Sequence, residues 1–173
     1  DEGDPLNKIL NNRSINNIKA SGLFSKVEYE ISNETDNTKK NINITVEEQP
    51  TGEISAGAGY GSNGQTFTIG IKENNFNGNA VRVNTNLTIS KTTVEGGVNF
   101  LIPNFKYSDK SLSVDTTRRD TDLLSSNGYK NKLTGISLGT SFEQKQNFYL
   151  SPSLTIEHEK LETSKRASSK LKA

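Results

Sequence analysis

The chain has 173 residues, of which 30% are hydrophobic, and a mean hydropathy of -0.69; a large apolar core is excluded. No run approaches the ~18 consecutive apolar residues of a membrane helix. There is no cysteine, so disulfides, thiolate catalysis and Cys-ligated metals are excluded, and the net charge of +1 supplies no global field for nucleic acid.

The first fifty residues read as α+β. Asp4-Pro5 is expected to start a helix, with Asp4 as N-cap and Pro5 at the first helical position, and Leu6, Ile9 and Leu10 on one face. Ser14 is expected to cap a second short helix carrying Ile15 and Ile18, with Gly22 as the stop. Val27, Tyr29 and Ile31 then alternate with polar residues, as do Ile42, Ile44 and Val46, which predicts two strands joined by a polar hairpin loop over 33–40. Such a module is short to fold alone. With no methionine and an opening Asp-Glu-Gly-Asp, the chain is expected to be an internal piece of a longer protein.

From Thr51 onward the period is two. Ile54, Ala56, Ala58 and Tyr60 alternate with Ser55, Gly57 and Gly59. After the turn signal Ser62-Asn63-Gly64, Phe67, Ile69 and Ile71 form a second strand, closed by a turn over 74–79. Val81 to Ile89 and Val94 to Phe100 give two more, the last stopped by Pro103. A fifth strand holds Leu112 and Val114, a sixth Ile136, Leu138 and Phe142, and a seventh Leu150, Leu154 and Ile156. Residues 120–131 are expected to be a long polar loop holding Asp120 and Asp122, against short turns at 62–64 and 91–93. Residues 160–172 read as a polar basic tail.

Alternation alone fits both a soluble sandwich, with its apolar face on a shared core, and a membrane barrel, with that face on lipid. Several runs of about nine to eleven residues match a tilted membrane strand better than the usual soluble strand of about five or six. Tyr60, Phe76, Phe105, Tyr107, Tyr129, Phe148 and Tyr149 lie near predicted strand ends, where an interfacial girdle belongs. Pattern favours the barrel.

Val46-Glu47-Glu48-Gln49-Pro50-Thr51-Gly52, leading into Ile54-Ser55-Ala56-Gly57-Ala58-Gly59-Tyr60-Gly61, resembles the Omp85 family. In that family a periplasmic POTRA domain runs through a V-x-E-x-x-T-G passage into a glycine-rich first barrel strand. Gly22-Leu23-Phe24-Ser25-Lys26-Val27 resembles the end of the second POTRA helix. Glu73-Asn74-Asn75-Phe76-Asn77-Gly78 is similar to the turn after the second barrel strand, and Leu101-Ile102-Pro103-Asn104-Phe105 is a looser match to a later turn. The resemblance implies an α+β POTRA-like fragment over 1–50, followed over 51–173 by antiparallel all-β transmembrane barrel strands, about seven of roughly sixteen.

It also implies a role in the bacterial outer membrane, with the first module in the periplasm: folding and inserting β-barrel clients at an open seam of the first strand. The pairing segment is Gly52, Glu53, Ile54, Ser55, Ala56, Gly57, Ala58, Gly59, Tyr60 and Gly61. Implied partners are the lipid bilayer, unfolded barrel clients and assembly lipoproteins, the last near Glu2, Leu23 and Phe24; no nucleic acid, cofactor or metal is implied, and no enzymatic step. Two other readings stay open: an Omp85-type translocator of the two-partner-secretion or TamA-like kind, and a soluble β-sandwich binding module. Gly57, Gly59 and Gly61 have a plain explanation beside the functional one, relief of crowding in a bending strand. They are not a dinucleotide loop, because no helix follows. Glu157, His158 and Glu159 do not converge on a metal, since alternation sends His158 to the opposite face.

Overall fold

The computed structural model describes residues 5–33, 39–61, 64–165 and 167. The chain divides into two compact units, Asp1–Thr51 and Gly52–Ala173. Antiparallel strands dominate, with one α-helix among the described residues.

In the first unit, α1 (Lys8–Ala20) packs on β1 (Phe24–Asn33), which pairs with β2 (Lys40–Glu48). The helix differs from expectation at its start. Its N-cap is Asn7, whose Oδ1 accepts hydrogen bonds from the Ile9 and Leu10 amides at 2.9 and 3.2 Å; Pro5 and Leu6 precede it, and Asp4 lies outside the described residues. Asn and Asp are equivalent as caps, so capping chemistry alone does not choose between them. Nor does Ser14 begin a second helix. No Gly or Pro interrupts 8–20, so the turns propagate through Ser14 to Ser21, where Gly22 takes the left-handed conformation (φ 72°) that ends a helix. Ile15 is buried and Ile18 half-buried, whereas Ile9 and Leu10 are exposed.

The predicted hairpin is present, with Val27 opposite Val46, Tyr29 opposite Ile44 and Ile31 opposite Ile42; residues 34–38 between the strands lie outside the described residues. The hairpin base is closed by Gln49, whose amide donates to the Leu23 carbonyl at 3.2 Å and whose Nε2 donates to the Gly22 carbonyl at 2.9 Å.

The second unit is an antiparallel meander. It comprises β3 (Gly52–Gly61), β4 (Gly64–Phe76), β5 (Val81–Ser90), β6 (Thr93–Ile102), β7 (Lys110–Leu123), β8 (Tyr129–Lys145), β9 (Phe148–Leu150) and β10 (Ser153–Thr163). The spatial order is β3-β4-β5-β6-β7-β8-β10, with β9 also on β8, and the path does not close on itself. Such an open order leaves an edge at each end.

Five expectations about this unit are corrected. The loop expected over 120–131 is five residues, 124–128, because Asp120 and Asp122 remain in β7 opposite Lys132 and Lys130 of β8. Opposite charges on facing strands favour pairing over solvation. The three connections at 62–63, 91–92 and 124–128 all lie at one end of the meander, so their lengths do not contrast its two ends; the other end carries 77–80 and 103–109.

β4 runs to Phe76 through a bulge after Glu73, so the turn shrinks to Asn77–Ala80. The seventh strand is broken at Pro152, which has no N–H to give to the ladder: β9 pairs with Phe142–Lys145 and β10 with Tyr129–Gly139. β10 also extends through Thr163, into the stretch read as a tail.

Candidate functional site

Pairing register assigns every side chain of the second unit to one of two faces, since directly opposed residues share a face. One face is a polar lattice. Asn84 Nδ2 donates to Asn99 Oδ1 at 3.3 Å, and Asn99 Nδ2 in turn donates to Asp115 Oδ1. Arg119 Nη2 donates to Glu95 Oε1 at 2.7 Å, and Asn131 Nδ2 to Glu159 Oε1 at 2.7 Å. Hydroxyls pair across strands at Thr68–Thr88 (3.2 Å) and Ser137–Thr155 (2.9 Å). Glu157 and Glu159 lie on this face, and His158 on the other.

The opposite face is apolar and uncovered. Phe67, Ile69, Leu87, Ile89, Ile136 and Leu154 are all exposed, and the only buried apolar residues described are Ile15 and Ala167. No second layer of protein covers this face among the described residues.

The apolar stretch is also oblique to the pairing rows. One row joins Ile54, Ile71, Thr85, Val98, Thr116, Ile136 and Ile156. On β3 the apolar residues lie on that row and the rows toward Tyr60. On β5 they straddle it from Val81 to Ile89, and on β8 they lie on it and the rows toward Phe142. From β3 to β8 the centre of the band therefore drops by about six residues, roughly 20 Å, over five strand-to-strand steps totalling about 24 Å. That slope of about 40° falls in the range by which barrel strands tilt in a bilayer. A plane of lipid cutting tilted strands produces this slant.

Aromatic residues mark both ends. Tyr60 and Tyr129 stand at one, while Phe76, Phe105, Tyr107, Phe148 and Tyr149 stand at the other. Tyr107 is fully exposed on a single 3-10 turn, Phe105–Tyr107, in which Lys106 and Tyr107 both have positive φ.

All ten residues of the expected pairing segment, Gly52 to Gly61, make up β3. β3 pairs with β4 alone among the described residues, and each of its residues is exposed. Gly57, Gly59 and Gly61 lie on its polar face. A Cβ added at any of the three would meet no atom within 4 Å, so crowding inside this sheet does not account for them. Crowding does account for Gly97, where a Cβ would lie 2.4 Å from the Thr116 carbonyl oxygen, and for Gly139, 2.6 Å from Ser113 Oγ. Leu23 and Phe24 are half-buried at the start of β1, and Glu2 lies outside the described residues. Sequence reading missed that Arg118, Asp120, Lys130 and Lys132 continue the apolar face beyond the band; counting parity from Val114 and Leu138 would have shown it.

An unclosed antiparallel meander, with a hydrogen-bonded polar face and a slanted, uncovered apolar face, defines part of a membrane β-barrel. The chain belongs to the Omp85 superfamily: the Omp85 superfamily domain matches residues 75–173. It is similar to the crystal structure of BamA from Haemophilus ducreyi lacking POTRA domains 1-3, with 25% identity and a TM-score of 0.75, over 94% of this chain and 32% of that one. The chain thus spans about a third of the BamA chain it matches. No curated protein sequence matches it. Membership and likeness together place the sheet in the bacterial outer membrane.

Proposed function

We propose that the chain is part of a BamA-type assembly factor, in which residues 1–50 are the end of the last POTRA domain, on the periplasmic side, and 51–173 are the first barrel strands. It folds and inserts β-barrel clients by letting a client strand pair with the free edge of β3. The observation that carries this reading is that edge: ten exposed residues, hydrogen-bonded on one side among the described residues, with no side chain at 57, 59 or 61. Unpaired N–H and C=O groups template an incoming strand, and pairing satisfies the client backbone as it leaves water. Free energy comes from client folding and lipid burial, so no nucleophile, proton relay or cofactor takes part. Leu23 and Phe24, with Glu2, are proposed to face an assembly lipoprotein.

The chain has no native cysteine, so cysteines introduced within residues 1–173 are the only ones there. In the full-length protein, single cysteines at Ser55, Gly57 and Gly59 are expected to cross-link to a cysteine series on a client's terminal strand, in steps of two. Cysteines at Thr66 and Thr68, one strand inward, are expected not to. Equal yield from β3 and β4, or none from either, refutes templating at this edge.

A further inference from the structure

On β7, β8 and β10 the apolar rows end at Thr116, Ile136 and Ile156, yet the strands continue for three more rows on the same face. The first row holds Arg118, Thr134 and His158, the second Asp120, Lys132 and Lys160, and the third Asp122, Lys130 and Glu162. The lysines of the outer two rows are matched by carboxylates. Lys130 lies 3.1 Å from Asp122 and 3.8 Å from Asp120, Lys132 lies 3.9 Å from Asp120, and Lys160 lies 3.0 Å from Glu162.

Arg118 is different. It stands nearest the apolar band, and its side chain has no ion pair or hydrogen bond with a described residue. Its side chain borders two clefts, and Gly96 lines both. The aliphatic walls are Leu87 and Val94 in one and Ile136 and Ile156 in the other, all continuous with the band.

A guanidinium with an unused fork of donors suits phosphate. Its place at the edge of an apolar band is headgroup depth, where each cation gains from an anionic leaflet. Asp120 and Asp122 line the outer part of the first cleft, together with Lys130, and Glu162 stands in the outermost row, so a free anion arriving from water meets carboxylates first, while a lipid moving within the leaflet reaches Arg118 from the apolar band. We propose that Arg118 and its two clefts bind the phosphate of a phosphorylated membrane lipid, with an acyl chain lying along Leu87–Val94 or Ile136–Ile156. This rests on the bilayer reading of the sheet.

The test is native mass spectrometry of the detergent-solubilised full-length protein titrated with lipid A, beside flotation of the same protein with phosphatidylcholine vesicles. One saturable lipid A site is expected. Arg118→Gln is expected to weaken it about fivefold, the worth of one cation at an anionic surface, and Arg118→Lys to weaken it less. Arg82→Gln, on the polar face, is expected to leave it unchanged. Equal affinity in wild type and Arg118→Gln overturns the proposal, as does competition by inorganic phosphate at the affinity of the lipid, which would mark a water-facing anion site. Protein that floats with vesicles but shows no such site sinks this proposal alone; protein that does not float sinks the bilayer reading as well.

Discussion

The slant of the apolar band makes a quantitative demand. Ile69 on β4 and Thr134 on β8 belong to one pairing row, connected through Leu87, Gly96 and Arg118. Ile69 lies midway along the apolar residues of its strand, between Ile71 and Phe67. Thr134 lies about four residues beyond the centre of the β8 band near Leu138, roughly 13 Å along the strand and about 10 Å toward the surface at a tilt of about 40°. An arginine facing lipid costs about 2–4 kcal/mol at the midplane and about 0–1 near the interface.

Ile69→Arg is therefore expected to destabilise the full-length barrel by about 2 kcal/mol more than Thr134→Arg, a factor of roughly thirty in the folding equilibrium. The assay is reversible denaturant titration of folding into phospholipid vesicles. If the two substitutions cost the same, rows rather than slanted bands run parallel to the membrane, and the tilt argument fails. If neither costs more than about 0.5 kcal/mol, as for ordinary surface changes, the apolar face does not meet lipid.

Gly97→Ala is expected to destabilise the barrel by about 1–3 kcal/mol, because its methyl would overlap the Thr116 carbonyl oxygen. Gly57→Ala, in open space, is expected to stay within about 0.5 kcal/mol; the same titration compares them. Asn7→Ala removes the acceptor of two helix-end amides and is expected to cost about 1 kcal/mol, read as lost amide exchange protection in the first turn of α1. Ala80, at φ 54°, occupies a region costing L-residues about 1–2 kcal/mol. Ala80→Gly is accordingly expected to stabilise the β4–β5 turn by up to about 1 kcal/mol, seen as a higher Tm.

Most strands were legible because both barrel faces obey a period of two, and that period needs only local sequence. Val81 to Ile89 fell within one residue of the observed β5, Val81–Ser90. The β7–β8 hairpin could not, since Asp120, Asp122, Lys130 and Lys132 look like loop residues until each is seen opposite a partner. The break at Pro152 hid for a related reason: β9 and β10 share β8, and only the register shows the missing ladder bond. At the helix, Asp4 and Asn7 carry equal capping chemistry, and sequence had no means to choose.

The candidate site divides the same way. Alternation and the passage into Gly52–Gly61 pointed to β3, whereas its standing at the end of the strand order is a property of the pairing. Among the described residues the neighbours distinguish the glycines: Gly97 in β6 is crowded, while Gly57, Gly59 and Gly61 in β3 meet nothing.

Sequence by itself determined the strands and their two-faced character, because a side chain's face depends on its parity along its own strand. Tertiary structure alone decided the slant of the apolar band, the place of β3 at one end of the strand order and the surroundings of Arg118. Each of these depends on which residues of different strands stand opposite one another, and register is a long-range quantity that no single strand encodes.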